Sequence, residues 1–136
     1  MSVKRLVWFG CIVGLMSCAE EVTPDEGLTD GGTYVVYWDS IPTAIPFNEP
    51  FSLSAMVHDA SDRSFMYTDR ELLVDATMPS HDHGMETLPA VTQDESGVYT
   101  VDGMLFHMAG EWELAFQVVF EGNIETATFT VDCCEQ

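Results

Sequence analysis

The chain has 136 residues, 46% of them hydrophobic, with only 4 Lys and Arg against 23 Asp and Glu, for a net charge of −19. A field of that sign repels phosphate backbones and anionic headgroups, so nucleic-acid partners and an electrostatic membrane patch are excluded as expectations. The length fits one domain with a real hydrophobic core.

At the N-terminus, Lys4 and Arg5 precede an apolar run from Leu6 to Met16 that is too short to span a bilayer, the pattern of a secretory signal. Its end, Leu15-Met16-Ser17-Cys18, resembles the bacterial lipoprotein signal, in which cleavage precedes a cysteine that is then acylated. Cys11 lies inside the apolar run and would leave too little signal behind it, so Cys18 is the expected lipidation site. Residues 1–17 are therefore read as a lipoprotein signal peptide. Residues 18–32, acidic and rich in Gly and Thr, are read as a flexible tether below the lipid. Multiple acyl chains give stable attachment, so the expected location is the bacterial cell envelope, lipid-anchored. With Ala19 rather than Asp after the cysteine, the outer membrane facing the periplasm is favoured in a double-membraned bacterium. All the acidic residues follow Cys18, whereas only Arg63 and Arg70 are basic there; two basic against 23 acidic residues give the processed chain a charge of −21.

The folded domain is expected from Thr33 onward, over residues 33–136, as short alternating apolar runs broken by Pro, Gly, Asp and Asn. Phe51-Leu53-Ala55-Val57 alternates with Ser52 and Ser54 as a half-buried strand requires. The same period recurs at Trp112-Leu114-Phe116-Val118-Phe120, and Glu121-Gly122-Asn123 supplies a turn before Ala127-Phe129-Val131, which predicts a hairpin. Tyr34-Val36-Trp38, Leu72-Val74-Ala76, a short run from Leu88 to Val91, and Val98 to Phe106 complete about seven strands. The predicted fold is all-β, an immunoglobulin-like β-sandwich without the Cys-Trp-Cys framework.

Three of the four histidines lie beside four methionines, in Met78-Pro79-Ser80-His81-Asp82-His83-Gly84-Met85 and Met104-Leu105-Phe106-His107-Met108. Thioether sulfur favours Cu(I) and imidazole accepts copper in either oxidation state, so the expected cofactor is copper, as Cu(I). Packing and loop bracing are the competing uses of the same residues. Met78 continues the even-numbered face of the preceding strand, and Pro79 and Gly84 break it, which puts His81 and His83 at a strand end or in the following loop. On an extended backbone those two side chains would point the same way, ~6.6 Å apart. In the second segment Met104, Phe106 and Met108 share one strand face and His107 the other, unless Asp102-Gly103 or Ala109-Gly110 bulges the strand. The candidate ligands rank His81, His83, Met85, Met78, then Met108, Met104 and His107. His58 has no cluster partner and is read as a solvated or bracing side chain.

Cys133 and Cys134 are adjacent, and three outcomes stay open for them in an oxidising compartment: a vicinal ring, pairing between molecules, or free thiols. Catalysis is not expected. Ser80-His81-Asp82 holds the residue types of a triad, but neighbours on an extended chain cannot form the relay. No phosphate loop, zinc-hydrolase motif or Cys-x-x-Cys is present.

Taken in order, Met78-Pro79-x-His81-x-His83-Gly84-Met85, Pro89, Gly97-Val98-Tyr99-Thr100-Val101 and Met104-Leu105-Phe106-x-Met108-x-Gly110-x-Trp112-x-Leu114 resemble the YtkA-like domain family, over roughly Leu72 to Val131. The resemblance implies a small extracytoplasmic β-sandwich, often lipid-anchored, similar to domains encoded near copper-resistance or oxidase-assembly functions. Ser80, Asp82 and Ala109 depart from the family's usual choices. The expected function is a lipid-anchored copper-binding module for sequestration or delivery, working with a copper-accepting or copper-donating envelope protein. The alternative is an envelope interaction module in which the Met/His turn is structural.

Overall fold

The computed structural model describes residues 24–134. The expected signal peptide and the Cys18 lipidation site lie outside them.

Nine strands make up the domain: β1 (Asp25–Leu28), β2 (Tyr34–Ile41), β3 (Phe51–Asp59), β4 (Glu71–Met78), β5 (His83–Gly84), β6 (Ala90–Gln93), β7 (Tyr99–Met104), β8 (Gly110–Phe120) and β9 (Asn123–Cys133). They form two antiparallel sheets, one in the order β1-β2-β3-β7-β6 and the other β5-β4-β8-β9. The expected all-β sandwich is therefore present, with nine strands instead of about seven. Among the described residues there is no α-helix, only a single 3₁₀ turn at Pro79–His81.

Strict alternation explains the inner faces. In β4 every second residue is buried, from Leu72 through Val74 and Ala76 to Met78. Phe51, Leu53, Ala55 and Val57 of β3 face them from the opposite sheet, joined by Trp112, Leu114, Phe116 and Val118 of β8 in one core. Trp38, Phe116 and Phe129 meet edge-on or tilted, with ring centroids 5.7–6.0 Å apart. Between β8 and β9 the loop is two residues, Glu121 and Gly122, both at positive φ (49° and 81°), which matches the twist of a tight hairpin.

The domain begins earlier than Thr33. Asp25–Leu28, expected within the tether, pairs with β2 from Asp25↔Trp38 to Leu28↔Val35. Its acidic side chains face out, and Gly27 is required because the Phe129 ring occupies the space a Cβ would take. The turn after β1 then closes one seam of the sandwich. Glu125 of β9 accepts hydrogen bonds from the Thr29 and Thr33 hydroxyls, both at 2.6 Å, and from the Thr33 N–H at 3.1 Å. The opposite seam, between β4 and β6, stays open as a groove of about 360 Å³ whose lining includes Arg70, Leu73, Pro89 and Tyr99 but no His or Met.

One irregularity positions the candidate site. Ser52 pairs with Asp102 while Phe51 pairs with Met104, so Gly103 is an extra residue in β7, at φ 86°. This bulge is the device the sequence allowed for, and glycine supplies its left-handed backbone without steric cost. β7 ends at Met104, and the chain leaves the sheet over Leu105–Ala109 before β8.

Candidate metal centre

The first half of the site is a tight reversal after β4. Pro79 has no N–H to continue the ladder and opens the 3₁₀ turn, and Asp82 takes the left-handed conformation (φ 52°) with its N–H donating to Pro79 O at 3.3 Å. The returning chain pairs as β5 with the end of β4, His83 opposite Met78 and Gly84 opposite Thr77. Met85 N–H donates to Ala76 O at 3.2 Å, which locks the reversal. His81 and His83 are therefore not on an extended segment. The turn between them still leaves their rings close, with centroids 5.8 Å apart.

Beyond the Gly103 bulge, the second half rests on aromatic packing. Phe106 stacks flat on Trp112, with centroids 4.6 Å apart at 5°, and the Trp112 indole N–H donates to Met108 O at 2.9 Å. These two contacts hold a segment that has no ladder of its own. They place the His107 ring 5.1 Å from His83, and both imidazoles meet Trp112 edge-on, at 5.5 and 5.8 Å.

The closest contact joins the halves: His83 Nε2 lies 3.2 Å from Met108 Sδ. On the other side of the same ring, Nδ1 is 3.2 Å from Gly84 O. A carbonyl oxygen only accepts, so Nδ1 carries the proton and donates. In the neutral ring Nε2 then presents its lone pair to the lone pairs of the Met108 sulfur. In that neutral tautomer two electron-pair donors face one another, an arrangement that a bound cation would convert from repulsion to attraction. A ring fixed by donating its other nitrogen to a backbone carbonyl is also how metal-ligating histidines are commonly oriented. His107 adds a buried Nδ1 with no hydrogen-bond partner, where burial without a partner is costly.

The structure sorts the predicted ligands. His83, Met108, His107 and, at the exposed rim, His81 come together. Met78 and Met104, at 1% and 0% exposure, belong to the core, because each falls on the inward row of its strand. Met85 is half-buried and packs against that core. Among the described residues no three His, Cys, Asp or Glu side chains are grouped to hold a metal ion, so a site here depends on the Met108 sulfur. An open depression of about 570 Å³, lined by Thr77, Met78, Pro79, Asp82, His83, Gly84 and Glu113, gives solvent access to the His83 side. Two carboxylates in that lining attract cations.

Sequence ranking put Met108 below Met85 and Met78 and His107 last. The two signals that favour them are Gly103, which bulges the strand, and Trp112, whose indole holds Met108 in place. His58 braces, as expected: its Nδ1 donates to Arg63 O at 2.7 Å and its ring meets Tyr37 edge-on at 5.0 Å. No family model, curated protein or solved structure matches this chain.

Proposed function

We propose that this chain is a lipid-anchored, extracytoplasmic copper-binding module that sequesters Cu(I) or passes it to an envelope partner, and that it performs no catalysis. His83 and Met108 are the central ligands, with one further donor from His107 or the exposed His81, since the three histidines are not grouped around a single ion among the described residues. The observation that carries this reading is the His83 Nε2–Met108 Sδ pair at 3.2 Å, with the opposite ring nitrogen committed to Gly84 O. A neutral imidazole and a thioether form a soft donor set suited to Cu(I) over hard cations. The exposed position of His81 and the open depression beside His83 suit a site that exchanges its ion. Anchoring rests on the resemblance of Leu15-Met16-Ser17-Cys18 to a lipoprotein signal, and the envelope setting on that signal and on the likeness to YtkA-like domains.

The test is an anaerobic Cu(I) competition titration of residues 19–136 carrying Cys133→Ser and Cys134→Ser, so that thiols contribute nothing. One equivalent is expected to bind tightly, and the double change His81→Ala/His83→Ala is expected to abolish it while leaving the apo-protein's melting temperature nearly unchanged. Binding no stronger than a carboxylate background would sink the proposal. A loss of about 1–3 kcal/mol in apo-stability from the same double change would instead identify the turn as a brace in an envelope interaction module.

A further inference from the structure

The sandwich end that carries His83 and Met108 also gathers sulfur from a part of the chain remote in sequence. In the β8–β9 ladder Gly110 is directly opposite Cys133. Directly paired residues of antiparallel strands project to the same face with Cβ positions about 4.5–5.5 Å apart. Gly110 has no side chain, and a Cβ built there would lie 2.7 Å from Met78 Cε. The Met78 thioether methyl therefore fills the gap that Gly110 leaves, next to Cys133. Met78 and Cys133 are both buried, at 1% and 4% exposure, in one core cluster against which Cys134 and Met108 also pack. Cys133 and Cys134 are joined as a vicinal disulfide.

We infer that Cys133 and Cys134, once reduced, form a second Cu(I) site with the Met78 thioether beside it, separate in its ligands from the His83–Met108 site. Reduction takes two electrons and two protons from a thiol reductant, which is itself oxidised to a disulfide, and leaves two thiols. Cu(I) then replaces thiol protons, which pass to solvent, because the thiolate is the metal-binding form. Copper stays Cu(I) throughout. Thiolate and thioether together are a softer set than imidazole and thioether, so the reduced pair outcompetes the His83 site for the first equivalent. The number of copper ions held thus follows the redox state of the pair: one with the disulfide closed and two with it open. This inference rests on the copper reading for the identity of the ion, but on different residues.

The experiment uses the full chain in detergent, reduced with a phosphine and desalted without oxygen, alongside the untreated disulfide form. Both are titrated with Cu(I) against a chromophoric chelator while the ultraviolet thiolate-to-Cu(I) charge-transfer band is followed. The reduced chain is expected to bind one equivalent more than the oxidised chain and to develop the band. Cys133→Ser/Cys134→Ser should lose both the extra equivalent and the band, His83→Ala should keep them, and Met78→Leu should weaken the added equivalent several-fold. Equal stoichiometry in the two redox states, or an extra equivalent that survives in the double serine variant, would overturn the inference. An oxidised chain that binds no copper, beside a reduced chain that binds one thiol-dependent equivalent, would remove the His83 site while leaving this one standing. Circular dichroism of the serine variant, and Cys134→Ser alone, separate loss of ligand from loss of fold.

Discussion

His83 and His107 rest against the same indole, yet their nitrogens meet different partners, and this difference divides their roles. His83 has Nδ1 tied to Gly84 O and Nε2 facing sulfur, whereas His107 keeps a buried Nδ1 that nothing satisfies. An unsatisfied buried nitrogen destabilises the apo-protein, so replacing it with carbon should help folding. His107→Phe is expected to raise apo-stability by about 1 kcal/mol and to lower Cu(I) affinity; urea unfolding paired with the competition titration checks both. If stability falls instead, the ring makes polar contacts in solution that offset its burial. Met108→Leu isolates the thioether, because the exchange conserves volume and costs under about 1.5 kcal/mol of fold stability. Its Cu(I) affinity should drop about tenfold or more, about 1.4 kcal/mol, and unchanged affinity would remove Met108 from the ligand set. The sequence makes these candidate donors visible, since His83, His107 and Met108 all stand in the two Met/His segments. It could not rank them, because whether Met108 reaches His83 depends on a bulge at Gly103 and an indole hydrogen bond from Trp112, contacts that no local period encodes. The burial of Met78 is readable as well: its place on the inward row of Leu72, Val74 and Ala76 argues for the core.

At the scale of elements, the least legible strand is β1, and its stability comes from remote partners. Two of its four residues are acidic, and only Gly27 is partly buried, so neither composition nor alternation marks Asp25–Leu28 as a strand. What orders it is pairing with β2 and the closure made by Glu125, a residue nearly a hundred positions away. Burial pushes the Glu125 carboxyl up, but the hydrogen bonds from Thr29 and Thr33 outweigh this and hold it below its ordinary value of 4.5. A carboxyl depressed in the folded state stabilises the fold above its unfolded value, and that contribution disappears as pH falls through the folded one. Glu125→Ala should therefore cost roughly 1–2 kcal/mol near neutral pH, the part-exposed carboxylate limiting the loss. The difference from the parent chain should shrink as pH falls below about 4.5, toward the folded value. Denaturant midpoints at several pH values measure this, and a difference that stays constant with pH would mean the closure depends on packing instead of the carboxylate. By contrast, β3, β4 and β8 were plain in the sequence because each buries one face against the opposite sheet, which forces a period of two. β5 is only two residues long, set by the turn that precedes it, and has no period to detect.

For the molecule as a whole, the dominant electrostatic fact is a charge of −21 after Cys18, with two arginines as the only opposing side chains. Both are already engaged. Arg63 pairs with Glu26 at 2.8 Å, and Arg70 pairs with Asp69 while its guanidinium lies over Phe120 and Tyr67, 3.5 and 4.1 Å from the ring centroids. The remaining carboxylates repel one another most in the compact state, where they are closest together, so the fold is weakened by its own field. Salt should relieve this. Between 0.01 and 0.15 M sodium chloride the screening length falls from about 30 to about 8 Å, shorter than most distances across the domain. The apo-protein's melting temperature is expected to rise over that interval by about 4 °C, corresponding to roughly 1 kcal/mol. The shape of the curve matters as much as its size. If self-repulsion is the cause, most of the gain is complete by 0.15 M; a steady climb toward 1 M would instead mark exclusion of salt from the protein surface. The same screening should act on the ion as well as on the fold, because the field that strains the sandwich also concentrates cations around it. Copper association, followed by stopped flow, should slow across the interval in which the melting temperature rises. Opposite salt trends for stability and for capture would trace both to one field, whereas association independent of salt would confine the role of the acidic surface to the fold.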